Sequence, residues 1–168
     1  MPDWFVVNVA EAPALRDEHG NAWAGFETAE NLFEHFGINI HVLQPGKATS
    51  LYHRENVQED FLVLSGECLA IIDGEERALG PWDFVHCPPG TDHVFLGAGD
   101  LPCAILMVGA RGPQTTTHYP LNELAAKHGV SVKEATSDPN EAYSDRGADF
   151  EPTTLPWPPP AGFDPRDA

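Results

Sequence analysis

The stretch YHRENVQEDFLVLSGE, residues 52–67, places His53, Glu55 and Glu59 directly ahead of the apolar run Phe61-Leu62-Val63-Leu64. Read as a strand, its side chains alternate between two faces, so Glu59 shares a face with Phe61 and Val63. If that face is the core, Glu59 is a carboxylate in apolar surroundings, which is costly unless a cation or hydrogen bonds compensate it. What lies around this stretch decides both the fold and the compensation.

Downstream the β signal repeats. Gly66 ends the strand, ECLAII (67–72) follows, and Asp73-Gly74 is a two-residue hairpin turn leading into EERAL (75–79). WDFVHC (82–87) is broken by Pro88-Pro89-Gly90; DHVFLG (92–97) and CAILMVGA (103–110) come next, separated by a Gly-Asp-Leu-Pro turn. Upstream, INIHVL (38–43) is a strand ended by Pro45-Gly46. Short strands with a turn every eight to twelve residues or so define an all-β sandwich or barrel. On these strands Cys68, Ala70 and Ile72 share one face, Leu69 and Ile71 the other, and His93 shares a face with Phe95.

The ends of the chain read differently. WFVVNV (4–9) is expected as an opening strand, and TAENLFEHFG (28–37) as one or two helical turns capped by Thr28 and stopped by Gly37. After Arg111, YPLNELAAKHG (119–129) has helical spacing with Gly129 as its stop, and a second short helix begins at Asp138-Pro139. The tail from Glu151 is proline-rich and expected to be extended, with Trp157 and Phe163 available to pin it to the barrel or to a partner subunit. The organisation is thus a lead-in at 1–37, a barrel core at 38–112 and a helical and proline-rich appendage at 113–168. There is no internal repeat.

With 168 residues and a 42% hydrophobic fraction, the chain is long enough to bury a core. A net charge of −17 repels phosphate backbones and anionic bilayers, so neither nucleic acid nor a membrane surface is the expected partner. The N-terminus lacks a basic region ahead of a long apolar run, and no stretch has the length of a membrane helix. Three cysteines, Cys68, Cys87 and Cys103, are too few for a disulfide framework. A cytoplasmic protein is the expectation, and its strand edges, unless covered, favour a homodimer.

Bringing the polar residues of three strands to one barrel mouth joins His53, Glu59 and His93 above an apolar floor. Two imidazoles and a carboxylate with open positions suit non-haem iron, and equally zinc, manganese or nickel. His41, between Ile40 and Val42, faces either way. Cys87 and Cys68 read as small core residues. His19, His35, His118 and His128 read as unremarkable, His128 being suited to a helix C-terminus.

These residues resemble the cupin superfamily. Its first motif runs glycine, a gap, His-x-His, three or four residues, Glu, six residues, Gly; here Gly46, His53, Glu59 and Gly66 fall into it. Its second motif is matched by Pro89, Gly90 and His93 in PPGTDH (88–93). The resemblance covers roughly 38–110, and the segments 52–67, 82–93 and 102–112 resemble a group of uncharacterised bacterial single-domain cupins. It implies a double-stranded β-helix (jelly-roll) barrel, often a dimer, with a divalent metal held by His53, Glu59 and His93. It departs from the pattern at two places: with three residues before Glu59 the second histidine position holds Glu55, with four the two histidine positions are Tyr52 and Arg54 with His53 between them, and Gly97 stands at the final asparagine position. The expected function is metal-dependent chemistry of oxygenase or isomerase type on a small organic molecule, with Glu55, Tyr52 or Arg54 serving proton transfer or carboxylate binding. The alternatives are a non-catalytic small-molecule binder or sensor and a metal-free structural dimer.

Overall fold

The alternation read from the sequence is what builds the molecule. This computed structural model describes residues 4–28, 30–146 and 149–155. Among the described residues twelve strands run β1 (Ala14–Asp17), β2 (Ala22–Gly25), β3 (Phe36–Leu43), β4 (Arg54–Glu55), β5 (Glu59–Ser65), β6 (Glu67–Ile72), β7 (Glu75–Leu79), β8 (Phe84–Cys87), β9 (His93–Ala98), β10 (Cys103–Ala110), β11 (Thr117–His118) and β12 (Phe150–Thr153). Two short helices, α1 (Glu123–Lys127) and α2 (Pro139–Ala142), lie between β11 and β12.

A seven-stranded sheet in the order β12-β1-β2-β3-β10-β5-β8 faces a three-stranded sheet, β7-β6-β9. The segment 45–53 runs along β9 through bridges Pro45–Gly97, Ala48–Leu96 and His53–His93, which closes the barrel on that side. Gly97 permits this approach, because a Cβ there would sit 2.4 Å from the Gln44 carbonyl oxygen. The expected asparagine position is therefore a place where only glycine fits without a shift. Asp73 and Gly74, both at positive φ (46° and 78°), make the tight hairpin between β6 and β7.

Three apolar layers follow from the period of two. Inward residues Leu43, Phe61, Val63, Cys68, Ala70, Cys87, Phe95, Cys103 and Ile105 fill the barrel. The outer face of the large sheet (Ile40, Val42, Ala104, Leu106) is covered by Val7, Val9, Ala12 and Leu155. The outer face of the small sheet (Ile71, Val94, Leu96) packs on Tyr52, Ala125 and Val130 beside α1. All three cysteines are buried and unpaired by disulfides.

Two local expectations are corrected. Residues 4–8 form no strand; a 3-10 turn at Val9–Glu11, capped by the Asn8 side chain, replaces it. Among the described residues the run has no strand paired with it, and Trp4 and Val6 stay 72% and 88% exposed, so its alternation is not that of a buried strand. The described residues of the stretch, 28 and 30–36, form no helix either. Thr28 and Asn31 make a tight antiparallel bridge, and Phe36 and Gly37 already belong to β3. Here tertiary contacts override helix propensity. The Glu27 carboxylate accepts hydrogen bonds from Phe33 N and from both terminal nitrogens of Arg111, which tie this segment to the end of β10.

The expected helices are present, with Asn122 and Asp138 as their N-caps. Part of the tail is a strand: β12 pairs with β1 at the sheet edge, where Pro152 opposite Leu15 is tolerated. Trp157 and Phe163 lie outside the described residues. No helix among the described residues is long and apolar enough to cross a membrane.

Candidate metal centre

His53, Glu59 and His93 each offer a ligand atom, and these atoms lie within 4.8 Å of one another. Two separate constraints bring them there. His53 and His93 sit opposite each other across the bridge between segment 45–53 and β9, with ring centroids 4.9 Å apart. Glu59 opens β5 on the opposing sheet and points inward with Phe61 and Val63, as the alternation requires. Its Oε2 lies 3.5 Å from His93 Nε2.

The imidazoles are already oriented. Nδ1–H of His53 donates to the Leu51 carbonyl (2.7 Å), and Nδ1–H of His93 donates to the Thr91 carbonyl (3.0 Å). With Nδ1 committed as donor, Nε2 carries the free lone pair on each ring, the tautomer a metal ligand needs. Burial lowers the pKa of both rings, His93 to about 4, so both are neutral at pH 7. Burial, with the neighbouring Glu55 charge, pushes Glu59 up to about 8. Without a cation this centre therefore holds two neutral imidazoles and a protonated carboxyl, the signature of a carboxylate awaiting compensation.

The centre opens into a cavity of about 480 Å³ whose lining includes Asn39, His41, Ser50, Glu55, Phe95 and Arg111. Glu55 borders this cavity, where its Oε1 accepts from Thr117 Oγ1 at 3.3 Å, but it is not one of the three converging groups. His41 faces the cavity from β3 and stacks on Trp23 at 6.0 Å.

Tyr52 and Arg54 lie elsewhere, against the expectation that they serve a substrate. Tyr52 is 1% exposed in the layer outside the small sheet, and its hydroxyl accepts from Gly74 N at 3.0 Å. Arg54 pairs with Asp92 at 2.9 Å. The physical reason is strand alternation. Neighbours of an inward His53 on an extended segment must point outward.

The support from the C-terminal region has no signal in the sequence pattern. Tyr143 Oη accepts from Leu51 N (3.0 Å), and the Val130 carbonyl accepts from Tyr52 N (2.7 Å). The two residues preceding His53 are thus held by the region of α1 and α2.

Fold and site together define the class, and comparison with known proteins agrees. Residues 39–109 match the cupin domain family. The barrel core over these residues is therefore a cupin domain. Among solved structures it resembles a cupin-superfamily sugar phosphate isomerase from Silicibacter pomeroyi, at 31% identity over 60% of this chain and 65% of that one, with a TM-score of 0.54. The match spans less than two thirds of that protein. The polyketide cyclase RemF from Streptomyces resistomycificus (17% identity, 67% of this chain and 83% of that one, TM-score 0.57) shares the fold. So does a cupin protein from Bacteroides fragilis (22% identity, 68% and 89%, TM-score 0.53). No curated protein matches the chain.

Proposed function

We propose that this cupin is a metal-dependent enzyme acting on a small oxygen-bearing organic molecule, with isomerase-type chemistry favoured over oxygenase. The observation that carries the reading is the convergence of His53, Glu59 and His93 with both imidazoles held in the ligating tautomer. The donor set, two nitrogens and one carboxylate oxygen, fits iron, zinc, manganese or nickel. A divalent ion bound there supplies Lewis-acid polarisation of a substrate oxygen. The chain's own residues do the rest. Phe61 and Phe95 floor the cavity and exclude water from beneath the substrate. Glu55, facing the same cavity and tethered by Thr117, would take a proton from a hydroxyl-bearing carbon beside a polarised carbonyl and return it to the former carbonyl carbon, while the hydroxyl proton passes to the former carbonyl oxygen. The isomerase preference leans on the 31% identical neighbour, whose name gives that activity.

The test is solvent deuterium incorporation into aldose and ketose substrates by metal-loaded protein, followed by proton NMR. Glu55→Gln should retain the metal and lose about 10²–10⁴ in turnover, the usual contribution of a general base. Exchange unaffected by Glu55→Gln would overturn that role.

A second reading, a non-catalytic small-molecule binder, is favoured by one feature: Glu55 stands at the position of the family's second histidine. It predicts a ligand that binds metal-loaded protein and is returned unchanged.

A further inference from the structure

The inward face of β3 carries two polar side chains that the protein leaves unsatisfied. Asn39 and His41, two residues apart and both lining the cavity, alternate with Ile40 and Val42 of the outer layer. Asn39 Oδ1 is buried without a hydrogen-bond partner. The His41 ring is held by stacking on Trp23, itself set edge-on against Phe150 at 4.9 Å, and among the described residues no hydrogen bond reaches its nitrogens. Buried polar groups are almost always paired, so the orphaned Asn39 oxygen indicates a missing hydrogen-bonding partner, and His41, half-buried on the same face with no hydrogen bond among the described residues, is free to join it. The partner's chemistry can be read from the groups themselves. An amide oxygen accepts and calls for a hydroxyl donor; a neutral imidazole offers one donor and one acceptor.

Charge narrows the class further. Among the described residues lining the cavity, Arg111 is the one permanent cation. It is already committed, bonding Glu27 through both terminal nitrogens (2.6 and 2.7 Å) and the Phe33 carbonyl at 3.2 Å. Glu55 adds a carboxylate to the same space. Apart from an ion held at His53, Glu59 and His93, a phosphate or a second carboxylate would enter without a free side-chain counter-charge.

We infer that Asn39 and His41 form a hydroxyl-recognising wall, and that the cavity takes an uncharged polyhydroxylated molecule, such as a free sugar or polyol, rather than a phosphorylated one. This rests on the proposed metal centre only in that the same molecule would reach it with its other end. The wall itself is a separate observation on a different strand.

The experiment measures binding of D-fructose, D-xylose, myo-inositol and fructose 6-phosphate by calorimetry, with Mn²⁺-loaded and with metal-free protein. At least one neutral compound should bind Mn²⁺-loaded protein, and the phosphate ester should bind no tighter than fructose. Asn39→Leu and His41→Leu should each weaken neutral-sugar binding about tenfold, or 1.4 kcal/mol, with Mn²⁺ affinity unchanged. Circular dichroism and Mn²⁺ affinity of the leucine variants, both matching the unmutated protein, separate loss of the hydrogen bond from a damaged fold. Unchanged binding in the leucine variants, tighter binding of the phosphate ester, or no binding of any neutral compound overturns the inference. Sugar binding that depends on Asn39 and His41 but persists without Mn²⁺ sustains the wall and counts against the metal centre alone.

Discussion

The backbones of His53 and His93 exchange both of their hydrogen bonds, His53 N to His93 O at 3.1 Å and His93 N to His53 O at 2.7 Å. In an antiparallel pair, residues joined this way project their side chains to the same face. Two ligands distant in sequence are thus set side by side by main-chain geometry rather than by side-chain packing. The third, Glu59, is supplied by the facing sheet.

That arrangement predicts a proton count. The metal-free centre holds Glu59 protonated near neutrality, because burial and Glu55 raise it to about 8, while both histidines are neutral. Binding a divalent ion requires the carboxylate. Uptake of Zn²⁺ or Mn²⁺ at pH 7 should therefore release about one proton per ion, and affinity should climb with pH until about pH 8. Calorimetry in buffers of different ionisation enthalpy reads this directly. Glu59→Gln should release none.

Stability without metal should follow the same groups with opposite signs. The folded pKa of Glu59 is raised from 4.5 to about 8, so its contribution is full below pH 4.5 and is lost as pH rises through 8. That of His93 is lowered from 6.5 to about 4, so its contribution is present above pH 6.5 and is lost as pH falls through 4. Metal-free Glu59→Gln should gain stability relative to the unmutated protein between pH 5 and 9, measured as the urea midpoint. A constant difference across that range would contradict the assignment.

How much of this was legible beforehand depends on whether a residue's role is local. The inward direction of Glu59, the faces of β6 and β9, and the hairpin at Asp73-Gly74 follow from a period of two and a turn preference, both local, and the structure agrees. The strand at 4–9 and the helix at 28–37 failed because pairing partners and the Arg111–Glu27 bond decide those segments, and both are long-range. Tyr52 and Arg54 flank His53 in the sequence, and alternation along this extended stretch turns both outward, as it turns Glu59 inward on β5. The unsatisfied pair on β3 could not be read at all, since His41 alone in sequence faces either way.

Tyr52 should accordingly behave as a structural residue. Its hydroxyl accepts the Gly74 amide at 3.0 Å beneath the hairpin. Tyr52→Phe should cost about 1 kcal/mol of stability by leaving that amide unpaired. Metal content and any turnover should not change. A loss of turnover at full metal occupancy would return Tyr52 to the site.

Gly97 should be intolerant of a side chain. Alanine would place Cβ 2.4 Å from the Gln44 carbonyl and push segment 45–53 off β9. Gly97→Ala should destabilise the fold by about 1–3 kcal/mol, the usual range for overpacking. Because that segment carries His53, metal affinity should fall as well. Thermal denaturation with and without Mn²⁺ separates the two effects.

The most direct measurement is the metal content of the freshly purified protein beside His53→Ala, His93→Ala and Tyr52→Phe, each checked for an intact fold by circular dichroism. A stoichiometric transition metal in the unmutated protein and Tyr52→Phe, lost from both histidine variants, is the expected result. Metal that persists in folded His93→Ala, or none that can be loaded into the unmutated chain, would contradict a shared coordination centre at His53, Glu59 and His93.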